Sequence, residues 1–480
     1  MLSVCTGALL LAGAGLLDGL EATTHHGAID LLRQTAPQTT VHADRRFVDN
    51  GRVVCSGGIA AGIDMSLHVL DRLVGRDVAV LRWRASGEMV AELEKLSRCS
   101  PGAVCGGPST MSWCEAFLRR FGAGAFTGIT FGRWLRVLQD NRFAVDRPYW
   151  GRAAVITLAS IPNTLLTAWE NWYFGRKVGN TRVAPPLFIL GIWRSGTTHL
   201  HNLVAQDERF AYATTYQVFY PLTFLTTEKR NARLVGFFLP KKRPQDNMAL
   251  GVGEPQEDEF ALCSLTGRAR PLAWAFPRRA DHYGRYLTLR ETSASEAAEW
   301  KSALAGLVRK LSFKYGKPLV LKSPGHTCRI KLLLELLPEA RFVHIHRNPY
   351  DVFRSTQHMV RTVTAWWALQ RPDYSDLDGR TLRQYREVYD AFFEERGLIP
   401  KGHFHEIGFE ALEADPLGQV QGIYEALDLP DFGQVEHALR RYVESLSGYK
   451  KNTLPELPTD LRERIAGEWR RCFEEWGYPL

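Results

Sequence analysis

One stretch constrains the fold more than any other: Pro186-Leu-Phe-Ile-Leu-Gly-Ile-Trp-Arg-Ser-Gly-Thr-Thr-His-Leu200. Leu187–Leu190 is a continuous apolar run, the pattern of a strand covered on both faces in a parallel sheet. Gly191 and Gly196 bracket a tight loop, and Thr197 to about Gln206 reads as helix. A glycine loop between strand and helix points backbone N–H groups at an anion, and the helix dipole reinforces the attraction. The spacing is that of a phosphate loop, G-x-x-x-x-G-K-[ST], yet Thr197 stands in the lysine position. In a triphosphatase that lysine reaches the β- and γ-phosphates, so its loss argues against triphosphate hydrolysis. Arg194, inside the loop, offers a rigid fork of donors instead. Such a loop suits a 5′-phosphate bearing one transferable group. The fold class that holds it is α/β, a central parallel sheet flanked by helices.

A second constellation lies downstream. Ala340-Arg-Phe-Val-His-Ile-His346 reads as another apolar strand and ends in Arg347-Asn-Pro-Tyr-Asp-Val-Phe-Arg-Ser355. Pro349 fits the first turn of a helix, which puts Ser355 about two turns beyond Arg347. An arginine at a strand end and a hydroxyl on the next helix can converge on one phosphate.

Together the two motifs resemble those of sulfotransferases that use 3′-phosphoadenosine 5′-phosphosulfate (PAPS), in their bacterial branch. The resemblance covers about residues 120–480 and implies a P-loop sulfotransferase-like sheet. It implies that Arg194, Ser195, Gly196, Thr197 and Thr198 hold the 5′-phosphosulfate, and that Arg347 and Ser355 hold the 3′-phosphate. Phe409-Glu-Ala-Leu-Glu-Ala-Asp-Pro-Leu-Gly418 is similar to the family's helix after the sheet. Gly448-Tyr-Lys-Lys-Asn452 resembles its late basic loop, adding Lys450 and Lys451, although it departs from the R-K-G-x-x-G form. No residue maps onto the adenine-stacking aromatics. The implied reaction moves a sulfonate from PAPS to a hydroxyl of a small-molecule, glycan or lipid acceptor by in-line displacement, releasing adenosine 3′,5′-bisphosphate. No metal is required. A P-loop nucleotide kinase is the competing class, disfavoured by Thr197; a non-catalytic ligand sensor built on the front of the chain is another.

An acceptor hydroxyl needs a base. Gly253-Glu-Pro-Gln-Glu-Asp-Glu-Phe260 is an acidic cluster in a basic region, and the resembling branch carries a similar P-x-E-D-E segment on its acceptor side. Glu257 is the first choice, with the like charges of Asp258 and Glu259 expected to crowd it toward proton uptake. Leu319-Val-Leu-Lys-Ser-Pro-Gly-His326 reads as a strand running into a loop. That places Lys322 at a sheet end, where α/β proteins bind ligands and where it can neutralise the sulfonate. His326 is a second candidate base. His199 and His201 read as structural.

The front of the chain differs. Residues 1–80 hold six basic and eight acidic side chains, so within a net charge of +8 the remaining residues carry +10. That excess suits an anionic ligand; nucleic acid is the weaker reading, because no Lys/Arg block or aromatic-interleaved basic stripe occurs. Gly7–Leu17 reads as helix stopped by Gly19, Ala22–His25 as extended, and Val41–Phe47 and Arg52–Cys55 as strands around the turn Asp49-Asn-Gly51. S-V-C-T-G-A-L-L-L-A-G-A-G with A-T-T-H-H and D-N-G-R-V-V-C-S-G-G resembles the C-terminal half of a ThiJ/PfpI-type (glutamine-amidotransferase-like) domain. That resemblance implies a partial flavodoxin-like α/β segment, with Cys5 at the nucleophile elbow and His25 after the following strand. The family's earlier strands have no counterpart here, so a catalytically dead remnant is expected.

The expected organisation is therefore 1–80 partial ThiJ/PfpI-like segment, 81–112 Gly/Pro/Ser-rich linker, 113–184 helical lead-in and 185–480 sulfotransferase domain; about 150 residues per domain would have given three units. Eight cysteines without C-x-x-C spacing exclude a disulfide scaffold and a zinc site and suit a cytoplasmic protein. The apolar start lacks a basic n-region, and Asp18 and Glu21 precede any cleavage pattern, which argues against a signal peptide. The run Ala153–Ala168 holds Pro162 and Asn163 and falls short of the roughly 20 residues of a membrane span. It reads as a buried or membrane-surface helix, so the aromatic helices of 131–176 are expected to give peripheral membrane contact. Nothing in the sequence sets an oligomeric state.

Overall fold

The computed structural model describes residues 2–4, 7–57, 61, 65, 68, 69, 72, 122–240, 243, 245, 246, 248–448, 452 and 454–480. The expected linker, Cys5, Lys450 and Lys451 lie outside these residues. The chain divides into two compact units, Met1–Thr110 and Met111–Leu480.

In the first unit, strand β1 (Leu2–Val4) pairs in parallel with β5 (Val54–Ser56), and β5 pairs antiparallel with β4 (Phe47–Asp49). Strands β2 (Glu21–Ala22) and β3 (Thr40–Val41) form a separate parallel pair. The Asp49-Asn-Gly51 turn is present: Gly51 has φ +80°, and its N–H donates to the Asp49 carboxylate at 2.7 Å. Two expectations need correction. The first helix ends at Gly13, ahead of Gly15 at φ +68°. Val41–Phe47 is not one strand, because the polar run His42–Arg46 has no apolar alternation to bury, and its two ends serve different sheets. Ala8, Leu17, Leu32 and Cys55 form the small core. His25 is spent locally, its Nδ1 accepting from the Gly27 N–H at 3.2 Å.

The second unit is built on five parallel strands: β6 (Leu187–Leu190), β7 (Ala211–Tyr212), β8 (Leu319–Lys322), β9 (Arg341–His346) and β10 (Phe404–Gly408). Their spatial order is β10-β9-β6-β8-β7, so the chain leaves central β6 toward one edge and later crosses to the other. A parallel sheet needs cover on both faces, and the strands supply it by strict alternation. Phe188, Leu190, Leu321 and Phe342 enter the larger core on one face; Leu187, Ile189, Val320, Val343 and Ile345 enter a second core on the other. Because every strand runs the same way, the ends of β6, β8 and β9 open on one edge. Ligands of open α/β sheets bind at that edge where the strand order switches direction, here beside β6.

Helices Phe131–Asp140 and Trp150–Gly179 precede the sheet. The apolar run 153–168 lies inside the second of these. Its expected burial is only partial: Val155, Leu158, Ile161 and Leu165 are exposed, while Ser160, Asn163 and Thr167 are buried.

Candidate active site

The loop after β6 is held open by backbone that glycine permits. Gly191 has φ +142° and Gly196 φ +102°, and a Cβ at Gly196 would stand 2.3 Å from the Phe409 ring. The Gly191 N–H is tied to the Thr327 hydroxyl at 2.8 Å, fastening the loop to the segment after β8. Arg194 itself lies in the left-handed region at φ +73°, a conformation that a non-glycine residue keeps only when its surroundings hold it there. Ser195 is fully buried, and both its hydroxyl and its N–H donate back to the Ile192 carbonyl, at 2.8 and 3.2 Å, which shapes the loop. Thr197 opens the helix Thr197–Val204, and Gly196 precedes it.

Arg194, Ser355 and Arg347 meet. The Arg194 Nε donates to the Ser355 hydroxyl at 2.7 Å, and Arg347 donates to the Arg194 carbonyl at 3.3 Å. Asn348 caps the helix that carries Ser355, accepting from the Tyr350 N–H, with Pro349 in its first turn. Arg347 lies over the Phe409 ring, 4.3 Å from its centre, and its buried Nε has no hydrogen-bond partner. Burial depresses its guanidinium, Asp351 at 3.7 Å opposes that, and Arg194 adds to it. A cation so placed has unspent capacity for an anion.

Sequence reasoning missed Asp246 and Arg243. The buried Asp246 carboxylate accepts from Arg194 at 2.8 Å and lies 3.5 Å from Arg243. Burial alone would raise its carboxyl, but Arg243 and Arg194 hold it below the usual range. Arg243 in turn donates to the Thr198 hydroxyl at 3.2 Å. Both residues sit in an irregular segment with no periodic pattern, so nothing in the sequence marked them.

Thr198 links this cluster to the other side of the loop, where Lys322 donates to it at 3.3 Å and to Glu257 at 2.9 Å. Lys322 is buried; that depresses its ammonium and Glu257 counters the effect. Each acid of the segment has its own partner. Asp258 accepts from the Ser323 hydroxyl and lies 2.9 Å from His326 Nε2, while Arg329 grips Glu259 in two bonds of 2.7 and 3.1 Å. Burial would raise the Asp258 carboxyl, yet His326, Ser323 and Lys322 hold it low. His326 is fully buried between Phe188 and Trp300. His201 is buried, as a structural histidine should be.

A continuous polar relay therefore runs Glu257–Lys322–Thr198–Arg243–Asp246–Arg194–Ser355 around a lysine-free phosphate loop. A model of the sulfotransferase family matches residues 185–433. The omega-hydroxy-beta-dihydromenaquinone-9 sulfotransferase Stf3 of Mycobacterium tuberculosis is 38% identical over 362 residues, 75% of this chain and 92% of that protein. The chain belongs to the sulfotransferase family. Its fold is similar to the crystal structure of sulfotransferase STF9 from Mycobacterium avium, with a TM-score of 0.55 at 18% identity, covering 74% of this chain and 98% of that one. The front segment is similar to isonitrile hydratase of Pseudomonas putida, 46% identical over 79 residues, or 16% of this chain and 33% of that protein. This sulfotransferase therefore carries, ahead of its catalytic unit, a segment similar to ThiJ/PfpI-type proteins.

Proposed function

We propose that this sulfotransferase takes its sulfonate from PAPS and delivers it to the hydroxyl of a lipid-like acceptor. The observation that carries the reading is the meeting of Arg194, Arg347 and Ser355 beside β6, with Lys322, Thr198 and Glu257 across the same loop. The residues fit a nucleotide with anionic groups at both its 3′ and 5′ positions: four cations, Arg194, Arg243, Lys322 and Arg347, gather there, and Arg347 keeps a buried donor without a partner. Arg347 and Ser355 would hold the 3′-phosphate. Arg194, Thr198 and the N–H groups at the start of helix Thr197–Val204 would hold the 5′-phosphosulfate. Lys450 and Lys451 belong to this proposal on the sequence alone. When bound, the donor supplies an activated sulfonate, whose bond to the 5′-phosphate oxygen breaks as the acceptor oxygen attaches.

The chain's own groups handle charge and proton. Lys322, depressed by burial, is a compact cation able to neutralise charge growing on the leaving oxygen. Glu257, held by Lys322 at 2.9 Å, takes the proton of the acceptor hydroxyl. An apolar acceptor is supported by a ring cluster around Phe260, three residues along from Glu257. Phe219 stacks on Phe260, and Phe260 meets Trp367 and Trp274, all but Trp274 being incompletely buried. The relative Stf3 acts, by its name, on a hydroxylated dihydromenaquinone. In domain terms, we assign residues 185–480 to catalysis, 113–184 to a helical lead-in and 1–80 to a separate segment.

Two measurements test the reading. Calorimetric titration with adenosine 3′,5′-bisphosphate should show at least tenfold weaker binding for Arg347→Ala, as expected when a buried charged contact to phosphate is lost. Unchanged affinity would remove the 3′-phosphate assignment. Incubation with labelled PAPS and a set of hydroxylated prenyl quinols should transfer label with the intact protein and not with Arg194→Ala.

A further inference from the structure

Helix Trp150–Gly179 is turned inside out. In a water-soluble protein an amphipathic helix buries its apolar stripe and exposes its charges. Here the side packed on the protein carries Arg152, Ser160, Asn163, Thr167 and Glu170 beside the apolar Ile156. Three of them reach the rest of the protein: Arg152 donates to the Ala368 carbonyl at 2.7 Å, Asn163 donates to the carbonyls of Thr127 and Ile129 at 2.9 and 3.2 Å, and Glu170 pairs with Lys310 and accepts from the Thr226 N–H. These bonds fix which side faces inward.

From Val155 to Tyr173 the outward side is apolar except for Thr164 and Asn171. Leu158 is 68% exposed, Leu165 70% and Trp172 80%, with Val155, Ile161, Trp169 and Tyr173 also exposed. No charged side chain is exposed between residues 153 and 175. Scattered exposed leucines need no explanation, but a continuous stripe of this kind marks a surface that is covered in use. Helix Phe224–Phe238, which packs against this one, adds Leu234 and Phe237, at 63% and 73% exposure.

Charge selects the occupant. The stripe is rimmed by Arg142 and Arg147 at one end and by Arg176 and Lys177 at the other, and the neighbouring helix exposes Lys229, Arg230 and Arg233. Between residues 131 and 179 only Asp140 is an exposed acid. Trp169 and Tyr173 stack at 5.5 Å beside the Lys177 end, the arrangement of an aromatic and a cation at a lipid–water boundary. Among the described residues no helix is long and apolar enough to cross a membrane. An apolar face with a cationic rim on a helix that does not span matches one partner, the surface of an anionic bilayer.

We propose that the outward face of helix Trp150–Gly179, with Leu234 and Phe237, lies in the headgroup–acyl boundary of an anionic membrane while Lys229, Arg230 and Arg233 engage its phosphates. Docking deepens the lipid-acceptor reading, since it brings the enzyme to the phase where such an acceptor resides, but it does not depend on the donor site.

The test is co-sedimentation of the full chain with vesicles of phosphatidylcholine, with and without phosphatidylglycerol. Binding is expected to require phosphatidylglycerol and to weaken by on the order of a hundredfold in Lys229→Gln/Arg230→Gln/Arg233→Gln at low salt. Leu165→Glu/Trp172→Glu, two exposed positions away from the phosphate loop, should abolish it while leaving bisphosphate binding unchanged. Failure of the intact chain to bind either vesicle overturns the proposal, as does equal binding by the Leu165→Glu/Trp172→Glu variant. A dimer in sedimentation that this variant dissociates, without vesicle binding, would assign the face to a second copy instead. Bisphosphate calorimetry on the same samples separates this outcome from failure of the donor assignment.

Discussion

Asp246 is the residue that most changes the picture of the site. It places a buried carboxylate 2.8 Å from Arg194, the arginine inside the glycine loop after β6. A carboxylate there orients the guanidinium, and it also competes with any anion for the same donors. Asp246→Asn keeps the shape and removes the competing charge. The expected result is roughly fivefold tighter binding of adenosine 3′,5′-bisphosphate by calorimetry, about 1 kcal/mol. Weaker binding would mean that orientation of Arg194 outweighs competition. The acidic segment teaches a related point. Glu257, Asp258 and Glu259 look alike in sequence, yet only Glu257 faces the loop, while the other two are anchored by His326 and Arg329. Adjacent residues in a turn point to different sides, and which side meets a lysine is set by strands far away in the chain.

Elements were more legible than residues. The strand–loop–helix over 187–204 follows directly from its apolar run and two glycines, and the strand–proline–helix over 341–367 from its terminal Arg-Asn-Pro. The glycine requirement can be tested at Gly196, where φ is +102° and a side chain would strike Phe409. Gly196→Ala is expected to lower stability by about 1–3 kcal/mol and to weaken nucleotide binding, because strain and collision act together. Denaturant titration beside bisphosphate calorimetry reads both effects, and a variant of unchanged stability would show that the loop tolerates a Cβ. Helix Trp150–Gly179 was the least legible element. Its sequence shows an apolar side and a polar side, but the direction of each depends on Lys310, Thr226 and the carbonyls of Thr127, Ile129 and Ala368. Periodicity defines two faces and is silent on which one the protein covers.

At the scale of the whole molecule, buried histidines tie stability to pH. Burial, then Lys322, pushes His201 down to about 3, and burial, then His344, pushes His346 to about 4. Unfolded, each would take up its proton near 6.5. Between that value and about 4 the unfolded chain binds protons that the native one refuses, so stability falls as pH is lowered through this window. Calorimetric melting should therefore give a lower Tm near pH 5 than near pH 7.5, as this linkage requires, and His201→Met should flatten the slope. A slope unchanged by that substitution would exclude His201 as a contributor.

The sequence by itself determined the α/β class, the buried parallel strands, the turns that follow β6 and β9 and the sulfotransferase resemblance. All of these are written in local patterns of apolar runs, glycines and a proline. Only the tertiary structure decided that His326 meets Asp258, that Asp246 and Arg243 complete the relay, and that the apolar side of a long helix faces outward. The physical reason is the same in each case. A side chain's task is fixed by its partner, and partners such as Arg194 for Asp246, Asp258 for His326 and Lys310 for Glu170 lie tens to hundreds of residues away, where no local pattern can name them.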